Sequence, residues 1–395
     1  DSVDKSTNIE IISCHHEQSA GFAAEGFSRV KGIPGIAFAT SGPGATNLIT
    51  AIGSCYFDSV PAVFITGQVN TYELKEQKEI RQLGFQETDI VSIVKPLCKD
   101  VFQVKKSSDL PFFLDKAYQL SLEGRNGPCL LDIPMNVQSA DISDELVEKF
   151  FKEINTGKKI FTSKQLTSEK EILEKLLLLK NQLFKSKRPL ILAGGGCSSF
   201  NNRVCSRKII ENLNLPTVFS LMGVDILPYH HKQRVGFIGS YGNRWANKLL
   251  GESDFLIALG TRLDIKQTGN DIKSFSNKKI IWQIDIDKNE IGVRVKPDNY
   301  IITSLNNLED VIKKADFKLN SGNKNWNQRI DSIRKSYPAI MEYKAKENEI
   351  NPIELIDNLS SYPKSSSIYV TDVGQHQMWS AQSLKLGLND RFITS

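Results

Sequence analysis

The 395-residue sequence predicts an α/β protein built on doubly wound parallel sheets. Three observations carry that prediction. Strand-like apolar runs alternate with helix-spaced segments in βαβαβ order. The runs "GIAFAT" (35–40), "PAVFITG" (61–67) and "PCLLDIP" (128–134) are apolar almost throughout, as strands covered on both faces are. Glycine-rich or polar turns follow the strands, at the rim where doubly wound sheets bind ligands.

Taken in order, "NIEIIS" (8–13) is a short β-rich run. Ala20, Ala23, Ala24, Phe27 and Val30 then recur at helical spacing, with Gly32 as the stop. After "GIAFAT", "SGPGATN" opens a helix through "LITAIGSCYF". A Lys-, Ser- and Thr-rich bridge runs over 141–166, and Ser168 with Glu171 forms a capping-box pair for the helix "EKEILEKLLLLKNQLF". A second βα array starts at "RPLILAGGG" (188–196) and continues through "LPTVFSL", "SDFLIALGTRLD" and "KKIIWQIDID" (278–287). The polar stretch "NSGNKNWNQRIDS" leads to a helix "PIELIDNLSSY", and "SSIYVTDVG" (366–374) begins a third unit. The expected organisation is a domain over 1–140, a linker over 141–166, a second domain over 167–318, a linker over 319–348, and the start of a third domain over 349–395.

Composition narrows the function. The chain is 40% hydrophobic and 24% charged, with a net charge of +5 spread among interleaved acids. That pattern speaks against nucleic acid or a membrane surface as partner. No apolar run nears the roughly 18 residues that span a bilayer. Cys14, Cys55, Cys98, Cys129, Cys197 and Cys205 show no metal-type spacing, and buried free thiols in a reducing compartment are expected.

Five segments are candidates for chemistry. In "CHHEQ", neighbouring residues of an extended segment point to opposite sides, so His15, His16 and Glu17 do not chelate one ion, and no metal site is expected. Glu17 reads either as a carboxylate favoured by a helix dipole or as an acid whose pKa is raised in an apolar cleft. "TSGPGATN" (40–47) lacks the Lys-Ser/Thr of a phosphate loop, but Gly42 and Gly44 permit unusual backbone angles and close approach by a flat ligand, with Pro43 stiffening the turn. "LAGGGC" (192–197) and "QIDID" (283–287) fit adenine-nucleotide recognition, glycines admitting a phosphate and carboxylates accepting from ribose hydroxyls. "DVGQHQMWSAQ" (372–382) sets Gln375 and His376 where a strand turns into a helix, a place suited to an anion; His230 and His231 read as an exposed turn.

Together these segments resemble the thiamine-diphosphate enzymes, specifically the acetohydroxyacid (acetolactate) synthase catalytic subunits. The likeness rests on "HHEQSAGFAAEGFSR", "TSGPGATN", "FITGQV", "GFQET", "GPCLLDIP", "AGGGC", "GSYGNRWAN", "GTRLDIKQTG", "IDIDKNEIG" and "TDVGQHQMWSAQ", in family order over nearly the whole chain. The resemblance implies a pyrimidine-binding domain, a central nucleotide-binding-type domain and a diphosphate-binding domain. It implies that Glu17 hydrogen-bonds the aminopyrimidine ring, so that the ring's imino form takes the proton from the thiazolium carbon. That carbon then attacks a 2-keto acid, typically pyruvate; carbon dioxide leaves, and the two-carbon unit adds to a second 2-keto acid. Pro43, Asn47 and Gln68 match loops around the pyrimidine, Phe85 and Gln86 the substrate side, and Gly374, Gln375 and His376 the segment holding the diphosphate. Gly194, Gly195, Gly239, Gly242, Gly260, Arg262, Asp285 and Asp287 match a central FAD site, which makes FAD a possible additional cofactor.

The resemblance further implies a homodimer or tetramer with the active site between subunits, and a possible regulatory subunit. It implies a cytoplasmic setting, in branched-chain amino-acid biosynthesis or in carboligation outside it. Three departures stand out. The family's magnesium-binding "GDG…N" segment and its opening βα unit are expected beyond the two ends of this sequence, and the chain by itself is expected to be inactive. Arg81 and Gln82 in "IRQLGFQET" replace the usual pattern beside the acceptor. Ile265 and Lys266 stand where an acid and an arginine are common, a change that matters at a planar or phosphate contact. The alternatives are a pyruvate-oxidase-type flavin oxidoreductase, a 2-keto acid decarboxylase and a non-catalytic cofactor-binding fragment.

Overall fold

A computed structural model describes residues 9–75, 79–155, 167–317, 323–343, 345–346, 348–360 and 367–394. The chain divides into two compact units, Asp1–Lys164 and Gln165–Ser395. The expected central and third domains thus share the second unit.

The first unit holds four parallel strands, β1 (Gly35–Ala39), β2 (Ala62–Gln68), β3 (Asp100–Gln103) and β4 (Pro128–Pro134), in the order β1-β2-β4-β3. Adjacent strand residues face opposite sides. Phe64 and Leu130 therefore pack under the helices Glu17–Lys31 and Ile49–Phe57 with Ala24, Leu48 and Ile52, while Val63 and Leu131 pack with Phe102 and Ala117 of the helix Leu110–Leu122. The helix Glu17–Lys31 stops at Gly32, whose left-handed φ of 72° closes the last turn.

Three expectations change here. Residues 9–13 form no strand, and Ile9, Ile11 and Ile12 are exposed; residue 8 lies outside the described residues. Alternating isoleucines supply an apolar face, but a strand also needs a hydrogen-bonded neighbour. β1 is an edge strand covered on one face only. The helix Leu110–Leu122 packs on β2, β3 and β4, leaving Ile36 and Phe38 more than half exposed. The expected linker over 141–166 contains the helix Asp144–Asn155, whose Leu146, Val147 and Phe150 are half-buried at helical spacing. The rest of it, 156–166, lies outside the described residues.

The second unit holds six parallel strands, β5 (Pro189–Ala193), β6 (Thr217–Phe219), β7 (Arg234–Phe237), β8 (Phe255–Leu259), β9 (Ile280–Asp285) and β10 (Asn299–Ile302), ordered β10-β9-β8-β5-β6-β7. The chain leaves β5 towards one edge, returns to β8 and builds towards the other. This is the dinucleotide-fold order with its switch point between β5 and β8. The Ser168 hydroxyl accepts from Glu171 N (3.3 Å) and caps the helix Glu169–Leu183, the first half of the expected capping box, while the Glu171 carboxylate pairs with Lys175 Nζ (3.0 Å). A 13-residue helix, Lys324–Ser336, lies inside the expected linker over 319–348, because Trp326, Ile330 and Ile333 recur on one face and bury against Trp245 and Leu249.

A two-stranded parallel pair, β11 (Ile368–Val370) and β12 (Arg391–Ile393), flanks the helix Gln375–Ser383. Buried Asp225 accepts from Arg391 Nε (2.8 Å) and Phe392 N (3.2 Å), and Arg203 donates to the carbonyls of Asp225 and Asp390. β12 is thereby tied to the region after β6. Among the described residues no helix is long and apolar enough to cross a membrane. All six cysteines are free, and all but Cys14 are buried. Burial pushes the Cys129 and Cys197 thiols up to about 12, so they stay protonated and act as small apolar residues.

Candidate active-site rim

Glu17 is the first residue of its helix. His16 precedes it as the cap, its Nδ1 accepting from Gln18 N (3.1 Å). After β1 the chain turns through Gly42, whose φ of 67° and ψ of −125° suit glycine, and Pro43 begins the short helix Pro43–Asn47. That helix returns Asn47 to Glu17: Asn47 Nδ2 donates to Glu17 Oε2 at 2.9 Å. A Cβ added to Gly44 would lie 3.4 Å from Glu17 Oε1, so the missing side chain leaves that oxygen accessible. Glu17, Gly44 and Asn47 therefore meet at one rim.

The electrostatics favour the first of the two readings of Glu17, the helix-terminus carboxylate. Glu17 is half-buried, and its carboxyl lies below the ordinary value rather than above it. The Asn47 amide is the main cause, followed by the helix amide of Glu17 itself, and together they outweigh desolvation. In the single chain Glu17 is a carboxylate.

The "GFQET" segment leans over the same turn. A Cβ on Gly42 would meet Gln86 Cβ at 3.0 Å. Gln86 holds a left-handed φ of 64°, uncommon for a residue with a side chain. Phe85 beside it is 83% exposed. Two anchors hold the segment: Glu87 accepts from Lys75 N and Leu83 N (both 2.6 Å), and the Thr88 carbonyl accepts from Gln68 Nε2 (2.8 Å). Gln68 therefore does not turn its side chain towards Glu17. It is buried, and the same nitrogen also donates to Asp132 Oδ2 (3.0 Å).

Asp132, which belongs to none of the candidate segments, is fully buried near the end of β4. It accepts from Thr66 Oγ1 (2.8 Å), Gln68 Nε2 and Gln103 Nε2 (3.2 Å). Desolvation pushes its pKa up against these three donors. The available signal was a lone carboxylate inside the otherwise apolar "PCLLDIP", since a buried charge requires partners.

In the second unit, Gly374, Gln375 and His376 open the helix Gln375–Ser383 as expected, with Gln375 and His376 exposed. The His376 ring stands 2.9 Å from where a Gly374 Cβ would be. The loops after β5, β7, β8 and β9 carry the remaining candidates. Here the glycines serve backbone crossings. A Cβ on Gly194 would run into the Gly260 carbonyl oxygen, one on Gly195 would lie 3.0 Å from Met222 Cβ, one on Gly239 2.7 Å from the Lys266 oxygen, and one on Gly242 2.5 Å from the Ile238 carbonyl carbon. The Gly194 and Gly196 amides donate to the carbonyls of Leu259 and Gly260. Arg262 is exposed. Asp285 accepts from Asp287 N and Asp287 from Asn289 N, both at 3.0 Å.

Comparisons with known proteins agree with this geometry. Residues 1–93 match the thiamine pyrophosphate enzyme N-terminal TPP binding domain, and residues 179–313 match the thiamine pyrophosphate enzyme central domain. The acetolactate synthase large subunit of Lactococcus lactis is 34% identical over 97% of this chain and 63% of that protein. The probable acetolactate synthase large subunit of Methanococcus aeolicus is 34% identical over 100% and 66%. The isozyme 1 large subunit of Escherichia coli is 32% identical over 100% and 66%. The chain thus spans just under two thirds of the length of these relatives. With both domain models matched in sequence order over more than half of its residues, the chain belongs to the thiamine pyrophosphate enzyme family.

Proposed function

We propose that this chain is the pyrimidine-binding and central part of a carboligase that decarboxylates one 2-keto acid, typically pyruvate, and joins the remaining two-carbon unit to a second 2-keto acid. The observation that carries the reading is Glu17 beside the Gly42–Pro43–Gly44 turn in a chain similar to acetolactate synthase large subunits. Bound thiamine diphosphate would supply the carbon nucleophile and the electron sink for decarboxylation. Glu17 would exchange a proton at Oε1, the oxygen facing Gly44, while Asn47 fixes Oε2. Pro43 would stiffen the turn beside the pyrimidine, and Phe85 and Gln86 would meet the acceptor.

Glu17 must hold a proton for part of such a cycle, yet in the single chain it is a half-exposed carboxylate. Covering the rim removes water and raises a carboxyl pKa. That supports an active site completed by a second subunit, in a homodimer or tetramer. Gly374, Gln375 and His376 would face the diphosphate with Mg2+. Gly194, Gly195, Gly239, Gly242, Gly260, Arg262, Asp285 and Asp287 would frame an FAD site. The dinucleotide-type strand order favours it, while the committed Gly194 and Gly196 amides leave few donors for a phosphate; flavin absorbance of the purified protein decides. The reading includes a cytoplasmic setting and a regulatory subunit.

In the full-length protein, Glu17→Gln keeps the size of the side chain and removes its acid. Carboligation should fall by roughly 10²–10⁴-fold, measured as the hydroxy-keto acid formed from pyruvate. A rate within about twofold of wild type would refute the assignment. A two-carbon acid accompanied by flavin reduction would instead establish the oxidoreductase alternative.

A further inference from the structure

The geometry points to Asp132 as a positioning residue that, through Gln68, clamps the 83–88 segment over the Gly42 turn and so sets where Phe85 and Gln86 stand. The inference deepens the proposed function, on which its catalytic part rests. The clamp is continuous: Asp132 Oδ2 accepts from Gln68 Nε2, and that nitrogen's second hydrogen goes to the Thr88 carbonyl. Gln68 Oε1 accepts from Val69 N at 3.0 Å, so the amide cannot rotate without losing all three bonds. Val69 also packs on the segment's other end, where a Cβ on Gly84 would meet its Cγ1 at 2.8 Å.

Such a clamp has a purpose at this position. Gln86 holds its left-handed backbone one residue after the 83% exposed Phe85. A conformation of that kind persists only where its surroundings over-determine it. Thr66, Gln68 and Gln103 all reach Asp132 as donors, which suits an ionised carboxylate. A charged acceptor holds Gln68 more firmly than a neutral one. Gln103 reaches Asp132 from β3, on the other side of β4 from β2, and among the described residues makes no hydrogen bond to the 83–88 segment, so it separates loss of the clamp from general disturbance of the network.

The test is amide hydrogen exchange on the full-length protein without keto acid, beside steady-state kinetics. The Gly84 amide donates to the Glu73 carbonyl and the Glu87 amide to that of Gly84, so exchange there reports opening of the segment. Gln68→Met, which loses the bond to the Thr88 carbonyl, and Asp132→Val, which loses the acceptor that orients Gln68, should each speed exchange over 83–88 about tenfold, with β2 and β4 unchanged. Asp132→Asn should restore part of the protection lost in Asp132→Val: its carbonyl still accepts from Gln68, now as a neutral partner, while Thr66 turns to the Leu131 carbonyl. Gln103→Met should leave exchange at wild type.

Unchanged exchange in Gln68→Met, or equal loosening by Gln103→Met, overturns the clamp, and Gln68→Met decides the matter even where Asp132→Val does not fold. In kinetics, Gln68→Met should raise KM for the keto acid more than it lowers kcat. A fall in kcat alone overturns the link to Phe85 and Gln86. Absence of carboligation in the wild type would refute the proposed function and leave the exchange result standing.

Discussion

A methyl group added at Gly44 in the first unit would meet the Thr40 side chain at 2.8 Å and the Glu17 carboxylate at 3.4 Å. The same methyl at Gly194 in the second unit would run into the Gly260 backbone carbonyl and the Thr261 Cβ. Both glycines follow a parallel strand closely, and both read as ligand-approach positions. In the first unit the missing side chain leaves space beside the Glu17 carboxylate. In the second it lets the loops after β5 and β8 touch at the switch point, joined by the Gly194-to-Leu259 and Gly196-to-Gly260 hydrogen bonds. A glycine after a strand therefore marks a close approach, and only its surroundings decide whether a ligand or the protein's own backbone comes close.

The largest stability effect should come from setting these two positions against each other. Gly194→Ala forces backbone against backbone, where little can yield, and should cost about 3 kcal/mol in the unfolding of the second unit. Gly44→Ala meets a rotatable threonine methyl and should cost about 1 kcal/mol, while carboligation falls more steeply because the new methyl crowds Glu17 Oε1. Denaturant unfolding and product formation measure the two arms. Equal stability losses would erase the distinction between the rims.

A smaller effect sharpens the first rim alone. Asn47→Ala removes the main cause of the lowered Glu17 pKa, so the carboxyl should titrate higher, as followed by carbon NMR of its carboxylate. The sign follows from linkage. A carboxyl whose folded pKa is depressed adds stability above its unfolded pKa and loses it as pH falls through the folded value. In Asn47→Ala that acid-side loss should shrink. A Glu17 midpoint unmoved by the substitution would place the cause elsewhere.

Much of this was legible in the sequence because single residues state it. Apolar runs such as "PAVFITG" and "RPLILAGGG" became β2 and β5, Gly32 ended its helix, and Ser168 capped the next one. Short strands were missed where polar residues dilute the pattern: β3 is "DVFQ", β7 "RVGF" and β10 "NYII". The helix Lys324–Ser336 hid because three apolar side chains suffice to bury one face of a polar segment. "NIEIIS" failed in the opposite way, since alternation names a face but not a pairing partner. The site divides likewise. Glu17 and Asn47, and Gly42 and Gln86, meet through turns whose glycine and proline the sequence displays, whereas the Gln68 contact depends on Asp132, 64 residues away in sequence.

The smallest effect concerns Gly26, in the middle of the helix that begins at Glu17. An added Cβ there meets nothing within 4 Å, whereas one on Gly21 of the same helix would press on Ala51 Cβ at 2.5 Å. Glycine costs a helix interior about 1 kcal/mol relative to alanine, so Gly26→Ala should stabilise the first unit by about that amount in denaturant unfolding. Phe22 lies one turn earlier on the same side of the helix and is 41% exposed. If Gly26→Ala stabilises the separated chain but weakens its self-association, the face bearing Phe22 and Gly26 is a subunit contact and its glycine belongs with Gly194, as a place where protein meets protein. If it stabilises both equally, the face stays open to solvent, and the cover that Glu17 needs must reach the rim from another side.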